Sequence, residues 1–321
     1  MVSGTWQALI SGFLMVFFII PGLPASVEEN NPGVCQQAYG SFPASDKLPN
    51  WLEIDLKAGD LYSTNRFDIL AGHLLTTGLV DGSNCPSWGL TVDGSPNGCG
   101  VETAQPAVVE WQNQFNETIA QTSQNLSLPS RLVKAVISTE SQFWPGSDWA
   151  KGEVGLGQLT NAGADMILTW RPGVYTNACS QVYNSENCRR PYVDLDPGMQ
   201  AALRGKILNI ADSSCPNCKG SVNVEKARQS ITLLVEGITA SCQQSANLIH
   251  RFGGGAPSSV MKYEDFMKLT LANYHAGAGC TLNALQNSLT NRSWNNLSHN
   301  FSRGCQSAPL YVQRVMESIL Q

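Results

Sequence analysis

The most informative segment of this chain is a helix-forming run that ends in a glutamate, Leu128-Pro129-Ser130-Arg131-Leu132-Val133-Lys134-Ala135-Val136-Ile137-Ser138-Thr139-Glu140-Ser141. Pro129 and Ser130 indicate a helix start, because proline is tolerated in the first turn of a helix. The apolar residues recur at helical spacing and predict one buried stripe, formed by Leu132, Val133, Val136 and Ile137. Glu140 follows Val136 by four residues and Ile137 by three, so it lies on the same stripe.

A carboxyl group on an apolar stripe has unusual acid–base properties. Its charged form is costly to maintain away from water, and its pKa rises. A carboxylic acid that keeps its proton near neutral pH is suited to general acid catalysis. The alternative interpretation is that the helix ends here and Glu140 simply turns to water. The segment taken alone leaves both interpretations open.

Three further motifs follow Glu140-Ser141 along the chain. They are Gly155-Leu156-Gly157-Gln158-Leu159, Asn273-Tyr274-His275-Ala276-Gly277-Ala278-Gly279 and Tyr311-Val312-Gln313-Arg314-Val315. The order Glu-Ser, Gly-Leu-x-Gln, Tyr-x-Ala-Gly, Tyr-Val-x-x-Val resembles the soluble lytic transglycosylase domain, the lysozyme-like family that includes goose-type lysozymes. The resemblance covers about residues 127–321. It implies a lysozyme-like fold that is mostly α, or α+β with a minor β part.

The resemblance also implies an activity. Enzymes of this family cleave the β-1,4 bond between N-acetylmuramic acid and N-acetylglucosamine in peptidoglycan, and they leave a 1,6-anhydro sugar. One glutamate serves as both acid and base, and the N-acetyl group is thought to assist. The resemblance assigns that catalytic role to Glu140.

The same resemblance implies the residues that line the sugar groove. They are Ser141, Gly155, Leu156, Gly157, Gln158, Tyr274, His275, Ala276 and Gly277. Two positions depart from the family pattern. Gly157 replaces the usual Met, which predicts a wider subsite. His275 replaces the usual Asn, and a protonated His275 near Glu140 would lower the pKa of the acid.

A second carboxylate would favour true hydrolysis, as in a goose-type lysozyme-like hydrolase. Asp148 and Glu153 are the nearest candidates in the sequence, although neither matches a family position, and solvated loop residues are the alternative. An interpretation of a different class is a non-catalytic wall-binding or structural secreted protein. Aromatic side chains cluster after Glu140, and at least one is expected to contact a sugar: Phe143, Trp144, Trp149 and Trp170.

Composition limits the possible partners. Hydrophobic residues make up 42% of the 321 residues, which is typical of a globular protein. The net charge is −5 and only 14% of the residues are charged, so no basic stripe exists to neutralise nucleic-acid phosphates. The family resemblance instead implies a peptidoglycan glycan strand as the partner. We expect no cofactor and no metal site.

The N-terminal segment predicts export. An apolar run covers about residues 9–21, and the small residues Pro24, Ala25 and Ser26 follow it. This pattern resembles a signal peptide over residues 1–25. An uncleaved membrane anchor is the alternative. The predicted location is accordingly secreted, periplasmic or cell-wall-associated, or membrane-anchored if the segment is retained.

Ten cysteines follow that segment and predict up to five disulfides in an oxidising compartment. The sequence does not fix their connectivity, but the short loops favour Cys85–Cys99 and Cys179–Cys188. Cys215 and Cys218 have the spacing of a zinc knuckle or a redox motif. Without a second ligand pair nearby, a simple disulfide across the loop is the default interpretation.

The sequence pattern predicts three regions. After residues 1–25 comes an irregular N-terminal extension over residues 26–105, which disulfides fix in place and which contains a few short strands or one helix. A helical catalytic domain follows over residues 106–321, with a Cys-rich insertion at about 171–222. The expected helices cover about 106–124, 130–140, 162–168, 196–211, 224–250, 263–274, 280–289 and 310–320, and a loop covers 171–192.

Overall fold

The structure is a computed structural model, and it describes residues 33–40, 48–54, 56–288 and 291–319. The predicted mostly helical class is confirmed. In these ranges, extended pairing consists of four isolated β-bridges. The α-helices are α1 Val34–Tyr39, α2 Asp68–Thr76, α3 Gly98–Asn113, α4 Asn116–Asn125, α5 Ser130–Ser141, α6 Asn161–Trp170, α7 Pro172–Ser180, α8 Pro197–Ala211, α9 Val224–Phe252, α10 Pro257–Val260, α11 Tyr263–Asn287, α12 Trp294–His299 and α13 Ser307–Ile319. Short 3-10 helices lie at Asn50–Leu52, Ala58–Leu61, Pro86–Gly89, Asn187–Arg189, Tyr192–Asp194, Lys219–Ser221 and Arg303–Cys305.

Helix α9 is the central element. Its side chains are buried on several faces because α11 and α1 pack on one side of it, and α6 and α8 on another. The Asn223 side chain caps its first turn by accepting a hydrogen bond from the backbone N–H of Lys226. The helix predicted for residues 224–250 is therefore confirmed, and Gly253 follows its last residue.

Two hydrophobic clusters meet at α9. The larger cluster joins α5, α11 and α13 to α9 and includes residues of α1 and α2. The smaller cluster is formed mainly by α6, α7 and α8, and Leu233 brings α9 into it. Glu140 lies on the side of the larger cluster, because α5 packs against α13.

Two of the predicted elements differ from the structure. The helix predicted for residues 106–124 is two helices, and the first begins at Gly98, where the Asn97 side chain caps it. Pro106 lies inside that helix rather than in its first turn. Residues 171–192 were expected to form a loop but contain α7, where Pro172 occupies the first helical position. In both places the position of proline was misinterpreted.

Before residue 106, the described residues contain α1, α2, the start of α3 and three short 3-10 helices, joined by turns and loops. Leu70 and Leu74 of α2 are fully buried in the same cluster as α5. The described helices belong to one compact unit, and the predicted division between residues 105 and 106 falls inside α3. The predicted signal peptide or anchor at residues 1–25 lies outside the described residues. Within the described ranges, no helix has the length and apolar character needed to cross a membrane.

Five disulfides connect all ten cysteines, so the predicted number is confirmed. Cys85–Cys99, Cys179–Cys188 and Cys215–Cys218 form as expected from their short loops. Cys280–Cys305 joins α11 to the segment before α13. Cys35–Cys242 joins α1 to α9 across a sequence separation of 207 residues. A closure of that length removes about 5 kcal/mol of chain entropy from the unfolded state in the loop-entropy description.

Candidate active site

Glu140 occupies the last turn of α5. The predicted stripe is fully buried, with Leu132, Val133, Val136 and Ile137 each at 0% exposure. Glu140 continues this stripe but retains partial exposure. Loss of water around the carboxyl raises the pKa of Glu140 from 4.5 to about 7. The side chain thus combines a retained proton near neutral pH with access from outside.

The backbone turns sharply directly after Glu140-Ser141. Gln142 and Phe143 both have left-handed conformations, with φ of 47° and 64°. Such residues cost on the order of 1 kcal/mol each and persist when neighbouring contacts hold them. The Gln142 side chain accepts a hydrogen bond from the N–H of Ile69, and Trp111 donates its ring N–H to the carbonyl of Phe143, at 2.9 Å in each case. These contacts fix the position where α5 ends.

Tyr311 is the tyrosine whose hydroxyl acts on Glu140, and within ordinary hydrogen-bond limits that buried hydroxyl has no partner among the described residues. It lies on α13, is buried, and its hydroxyl lowers the pKa of Glu140 by favouring the carboxylate form. Burial raises the pKa of Tyr311 well above its usual range, so the phenol keeps its proton. Tyr311 belongs to the Tyr-Val-x-x-Val motif but was not among the predicted site residues.

Tyr274 lies near Glu140, but its hydroxyl donates a hydrogen bond to another group. Its hydroxyl donates a 2.9 Å hydrogen bond to the carbonyl oxygen of Gly157. The charge of Glu140, together with burial as the larger cause, raises the pKa of Tyr274. Tyr274 therefore supports the backbone of Gly157, and Tyr311 is the tyrosine whose hydroxyl favours the carboxylate form of Glu140.

His275 stacks on Tyr311, with ring centroids 4.3 Å apart and an angle of 6° between the planes. Its outer side is exposed. Partial burial, and then the positive charge of Arg314, lowers the pKa of His275 below 6.5. The ring is therefore mostly neutral at neutral pH. His275 is not among the groups that shift the pKa of Glu140, and the expected effect of a protonated His275 on that acid stays a prediction.

Two charged side chains shift the pKa of Glu140 in opposite directions. Glu153 raises the pKa of Glu140 and Arg314 lowers it, although both effects are smaller than that of burial. Asp148, the other carboxylate considered, forms an exposed ion pair of 3.0 Å with Lys151. The structure thus brings Glu153, and not Asp148, into the electrostatic surroundings of Glu140.

The segment Gly155–Gln158 is fixed by contacts to α5, α8, α9 and α11. Ser141 donates its hydroxyl to the carbonyl of Leu156 at 2.8 Å, so it joins α5 to the segment and does not orient the carboxyl. Gln158 donates to the carbonyl of Gly155 at 2.8 Å. Its amide oxygen accepts no hydrogen bond from the residues described.

The glycines of this segment permit close packing of the backbone. A Cβ atom at Gly155, whose φ is +70°, would lie 2.5 Å from the carbonyl oxygen of Ala211. A Cβ atom at Gly157 would lie 2.9 Å from the Leu234 side chain and 3.2 Å from the Tyr274 hydroxyl. The space beside Gly157 is therefore filled from α9 and α11. The expected widening of a subsite at this position is corrected for that reason.

Gly277 interrupts α11 with φ of 78° and ψ of 174°, which separates the two helices predicted around residues 274 and 280. Asn273 holds the interruption together. Its amide donates to Gln244 at 3.0 Å, and its oxygen accepts from Thr281 at 3.3 Å. Ala276 lies between His275 and this break and is partly buried.

The aromatic residues after Glu140 separate into packing and exposed groups. Phe143 is buried, and Trp144 stacks on His73 with centroids 4.5 Å apart. Trp149 is 58% exposed at the tip of the hairpin between Asp148 and Glu153. Of these side chains, Trp149 offers the most open ring face.

Sequence reasoning left out Tyr311 and Arg314 as site residues, and it considered Glu153 only as a possible second carboxylate. The first two lie on the Tyr-Val-x-x-Val motif at positions three residues apart, which is one turn of a helix. That spacing was the available signal. Glu153 carried no signal beyond its place in the loop, because its approach to Glu140 depends on how the hairpin folds back.

Within the described ranges, no group of three or more His, Cys, Asp or Glu side chains is arranged to hold a metal ion. The chain was compared with models of protein families, with curated proteins and with solved structures, and no match was found in any of the three comparisons.

Proposed function

We propose that the chain is an exported peptidoglycan lytic transglycosylase with a lysozyme-like fold, in which Glu140 is the acid and the base. The observation that carries this proposal is the raised pKa of Glu140, about 7, in a partly exposed carboxyl beside the Tyr311 hydroxyl. A group with this pKa is about half protonated at neutral pH. It can therefore both donate and accept a proton under physiological conditions.

The first step is proton donation. The protonated Glu140 gives its proton to the glycosidic oxygen, the bond from C1 of N-acetylmuramic acid to that oxygen breaks, and the N-acetylglucosamine residue leaves with a hydroxyl group. The positive charge that develops at C1 is stabilised by the carbonyl oxygen of the neighbouring N-acetyl group. The Tyr311 hydroxyl and the charge of Arg314 favour the carboxylate that Glu140 becomes.

The second step restores the acid. The Glu140 carboxylate takes the proton from the 6-hydroxyl of the same sugar, and the oxygen of that hydroxyl attacks C1 to close the 1,6-anhydro ring. The N-acetyl carbonyl is released unchanged. No water is consumed, and Glu140 is again protonated for the next bond.

A specific observation also favours a second candidate, hydrolysis by a goose-type lysozyme-like mechanism. Glu153 is close enough to raise the pKa of Glu140 through its charge. A second carboxylate near the acid is what water activation requires in most glycoside hydrolases. In this case Glu140 protonates the leaving oxygen as its bond to C1 breaks, and the water oxygen bonds to C1 while the Glu153 carboxylate accepts a proton from that water.

The deciding experiment is mass analysis of the products released from purified cell walls. The transglycosylase yields 1,6-anhydro ends, and Glu140→Gln lowers the rate by about 10²–10⁴-fold, the usual size of a general acid–base contribution. Glu110→Gln, which changes an exposed glutamate of α3, is the matched control and keeps full activity. Products with reducing ends, each heavier by one water than the corresponding anhydro product, identify the hydrolase if Glu153→Gln also loses most of its activity. Unchanged lysis in Glu140→Gln contradicts both and supports a non-catalytic wall-binding protein.

A further inference from the structure

A cavity of about 290 Å³ lies beside the face of α5 that is turned away from Glu140. The α5 residues that line it are Arg131, Lys134, Ala135 and Ser138. Successive residues of a helix are about 100° apart, so these four share one face, and Glu140 lies about 180° from the centre of that face. Residues 60–65 and the end of α13 complete the enclosure. The cavity is therefore formed by several elements and is separate from the candidate active site.

Arg131 is the cation in this cavity that has donors to offer. Its Nε atom is buried and has no hydrogen-bond partner, and the ion pairs among the described residues do not include it. A buried guanidinium N–H without an acceptor is unfavourable, because it has lost its water without gaining a partner. The missing acceptor indicates a group supplied from outside the chain.

Lys134, the other cation of the lining, has no donor left for a ligand. Its ammonium group donates to the carbonyl oxygen of Leu61 and to the side-chain oxygens of Asn113 and Asn116, the latter two at 3.0 and 2.9 Å. These bonds use all three donors of a lysine. Lys134 therefore holds the wall of the cavity together, and Arg131 alone is left to bind an anion.

The cavity also has an apolar wall and a limited size. The apolar lining residues are Leu61, Ala135, Phe143 and Ile319. A volume near 290 Å³ is at the lower end of the range for small-molecule sites, so it suits a small organic molecule and not a polymer. A ligand that satisfies both the guanidinium and this wall combines one anionic group with a short alkyl chain.

A carboxylate of the chain itself limits the charge of the ligand. Asp60 lines the cavity and is exposed, and its Oδ2 atom accepts a 3.0 Å hydrogen bond from the backbone N–H of Lys57. The repulsion from Asp60 is twice as large for a doubly charged phosphate as for a singly charged carboxylate. The hydroxyls of Ser138 and Ser318 bond to each other at 2.9 Å, which leaves one of their two protons without an acceptor among the described residues. A monocarboxylate fits this set of groups better than phosphate does.

We propose that the cavity binds a small organic monocarboxylate, with Arg131 donating paired hydrogen bonds to the carboxylate and the apolar wall against its alkyl chain. The fork of N–H donors on a guanidinium matches the two oxygens of a carboxylate. This inference does not rest on the proposed function, because the cavity lies on the other side of α5 from Glu140.

The test is a binding titration of the full chain with sodium butyrate, followed through the backbone amide signals of Ala135 and Ser138 in ¹H–¹⁵N NMR. Butanamide, a neutral molecule with the same number of non-hydrogen atoms, is the matched probe. We expect saturable butyrate binding with Kd on the order of 1 mM, and butanamide binding at least about tenfold weaker. Arg131→Gln should weaken butyrate binding by about tenfold or more, the size of a charge-assisted hydrogen bond.

Two further variants complete the design. Arg131→Lys keeps the positive charge but loses the paired donors, and it should bind butyrate several-fold more weakly than the wild type. Arg303→Gln changes an exposed arginine outside the cavity and should keep the wild-type affinity. The inference is overturned by the absence of saturable butyrate binding, by equal binding of butyrate and butanamide, or by unchanged affinity in Arg131→Gln. Inorganic phosphate that binds more tightly than butyrate overturns the assignment to a monocarboxylate.

Discussion

The hydroxyl of Tyr274 donates a 2.9 Å hydrogen bond to the carbonyl oxygen of Gly157, and this bond joins α11 to the segment that follows the hairpin. The bond uses the only proton that Tyr274 can donate. Tyr311 on α13 is therefore the tyrosine that favours the carboxylate form of Glu140. The two tyrosines have separate tasks, one in positioning the backbone and one in tuning the acid.

This separation predicts different pH profiles for two matched variants. Tyr311→Phe removes a hydroxyl that favours the carboxylate, so the pKa of Glu140 rises above about 7. The alkaline limb of log kcat/KM should then move upward by about one pH unit, since about 1.4 kcal/mol of interaction between the hydroxyl and the charged carboxylate corresponds to that shift.

Tyr274→Phe serves as the comparison. It leaves the hydroxyl of Tyr311 in place and should lower the free energy of unfolding by about 1 kcal/mol with little movement of the alkaline limb. An upward shift in Tyr274→Phe that matches or exceeds the shift in Tyr311→Phe would reverse the assignment of the two tyrosines.

Glu140 should make the protein less stable as the pH rises. Its folded pKa of about 7 exceeds its ordinary value of 4.5, so the folded state holds a proton that the unfolded chain releases. The contribution is fully present below pH 4.5 and is lost as the pH rises through 7, at a total cost of about 3 kcal/mol. Urea unfolding at several pH values measures it.

Glu140→Gln removes this titration. We expect the variant to match the wild type at pH 4.5 within about 0.5 kcal/mol and to exceed it by about 3 kcal/mol at pH 8. Glu110→Gln is again the control, and it should follow the wild type at both values. A Glu140→Gln variant without a stability gain at pH 8 would show that the carboxyl is well solvated.

Gly155 provides a test of the backbone packing that positions the segment near Glu140. Gly155→Ala combines a positive φ of +70° with a Cβ atom 2.5 Å from the Ala211 carbonyl oxygen. Gly152→Ala has nearly the same φ, +73°, but meets no atom within 4 Å. We expect Gly152→Ala to cost about 1 kcal/mol for the backbone conformation alone.

The cost of Gly155→Ala should be greater by at least about 1 kcal/mol, and the rate of glycan cleavage should fall with it. Denaturant unfolding and activity assays on both variants measure these effects. Equal stabilities of the two variants would mean that the segment moves away from α8 without cost.

The disulfide Cys215–Cys218 should matter more for activity than for stability. Both of its cysteines lie in the connection between α8 and α9, where the bond closes a short loop. From this connection, Asp212 accepts a 2.6 Å hydrogen bond from Ser147, and Ser213 donates to the carbonyl of Pro145. Through Pro145 and Ser147 the connection holds the start of the hairpin that carries Glu153.

The variant with both Cys215→Ser and Cys218→Ser loses only a short loop closure, worth about 2 kcal/mol. We expect KM to rise by about threefold or more because the hairpin is held less firmly. The control removes Cys179–Cys188, which lies in the smaller hydrophobic cluster, and should leave KM unchanged. Equal KM values for both variants would contradict the coupling to the hairpin.

The local features of the fold were accessible from the sequence. The stripe on α5 and the long apolar pattern of α9 predicted both helices, because each buries residues at regular helical spacing. The position of Glu140 on the stripe also predicted the direction of its pKa. Proline was less informative, since Pro106 and Pro172 occupy an interior position and a first turn respectively, and both patterns look alike in sequence.

The site could be predicted only in part. Tyr274 and Tyr311 each follow from a motif, but which hydroxyl acts on Glu140 depends on how α13 packs against α5 and α11. The stacking of His275 on Tyr311 likewise joins residues 36 positions apart, and no local pattern encodes it. Long-range packing decides these contacts, and one sequence does not display it.

The most direct measurement of the central claim is a titration of the Glu140 side chain itself. NMR of protein with ¹³C-labelled glutamate carboxyls follows every such group, and the signal that disappears in Glu140→Gln identifies this residue. We predict a midpoint near pH 7 in the wild type. A midpoint near 4.5, the ordinary value for a solvated glutamate, would contradict the assignment of Glu140 as the proton donor.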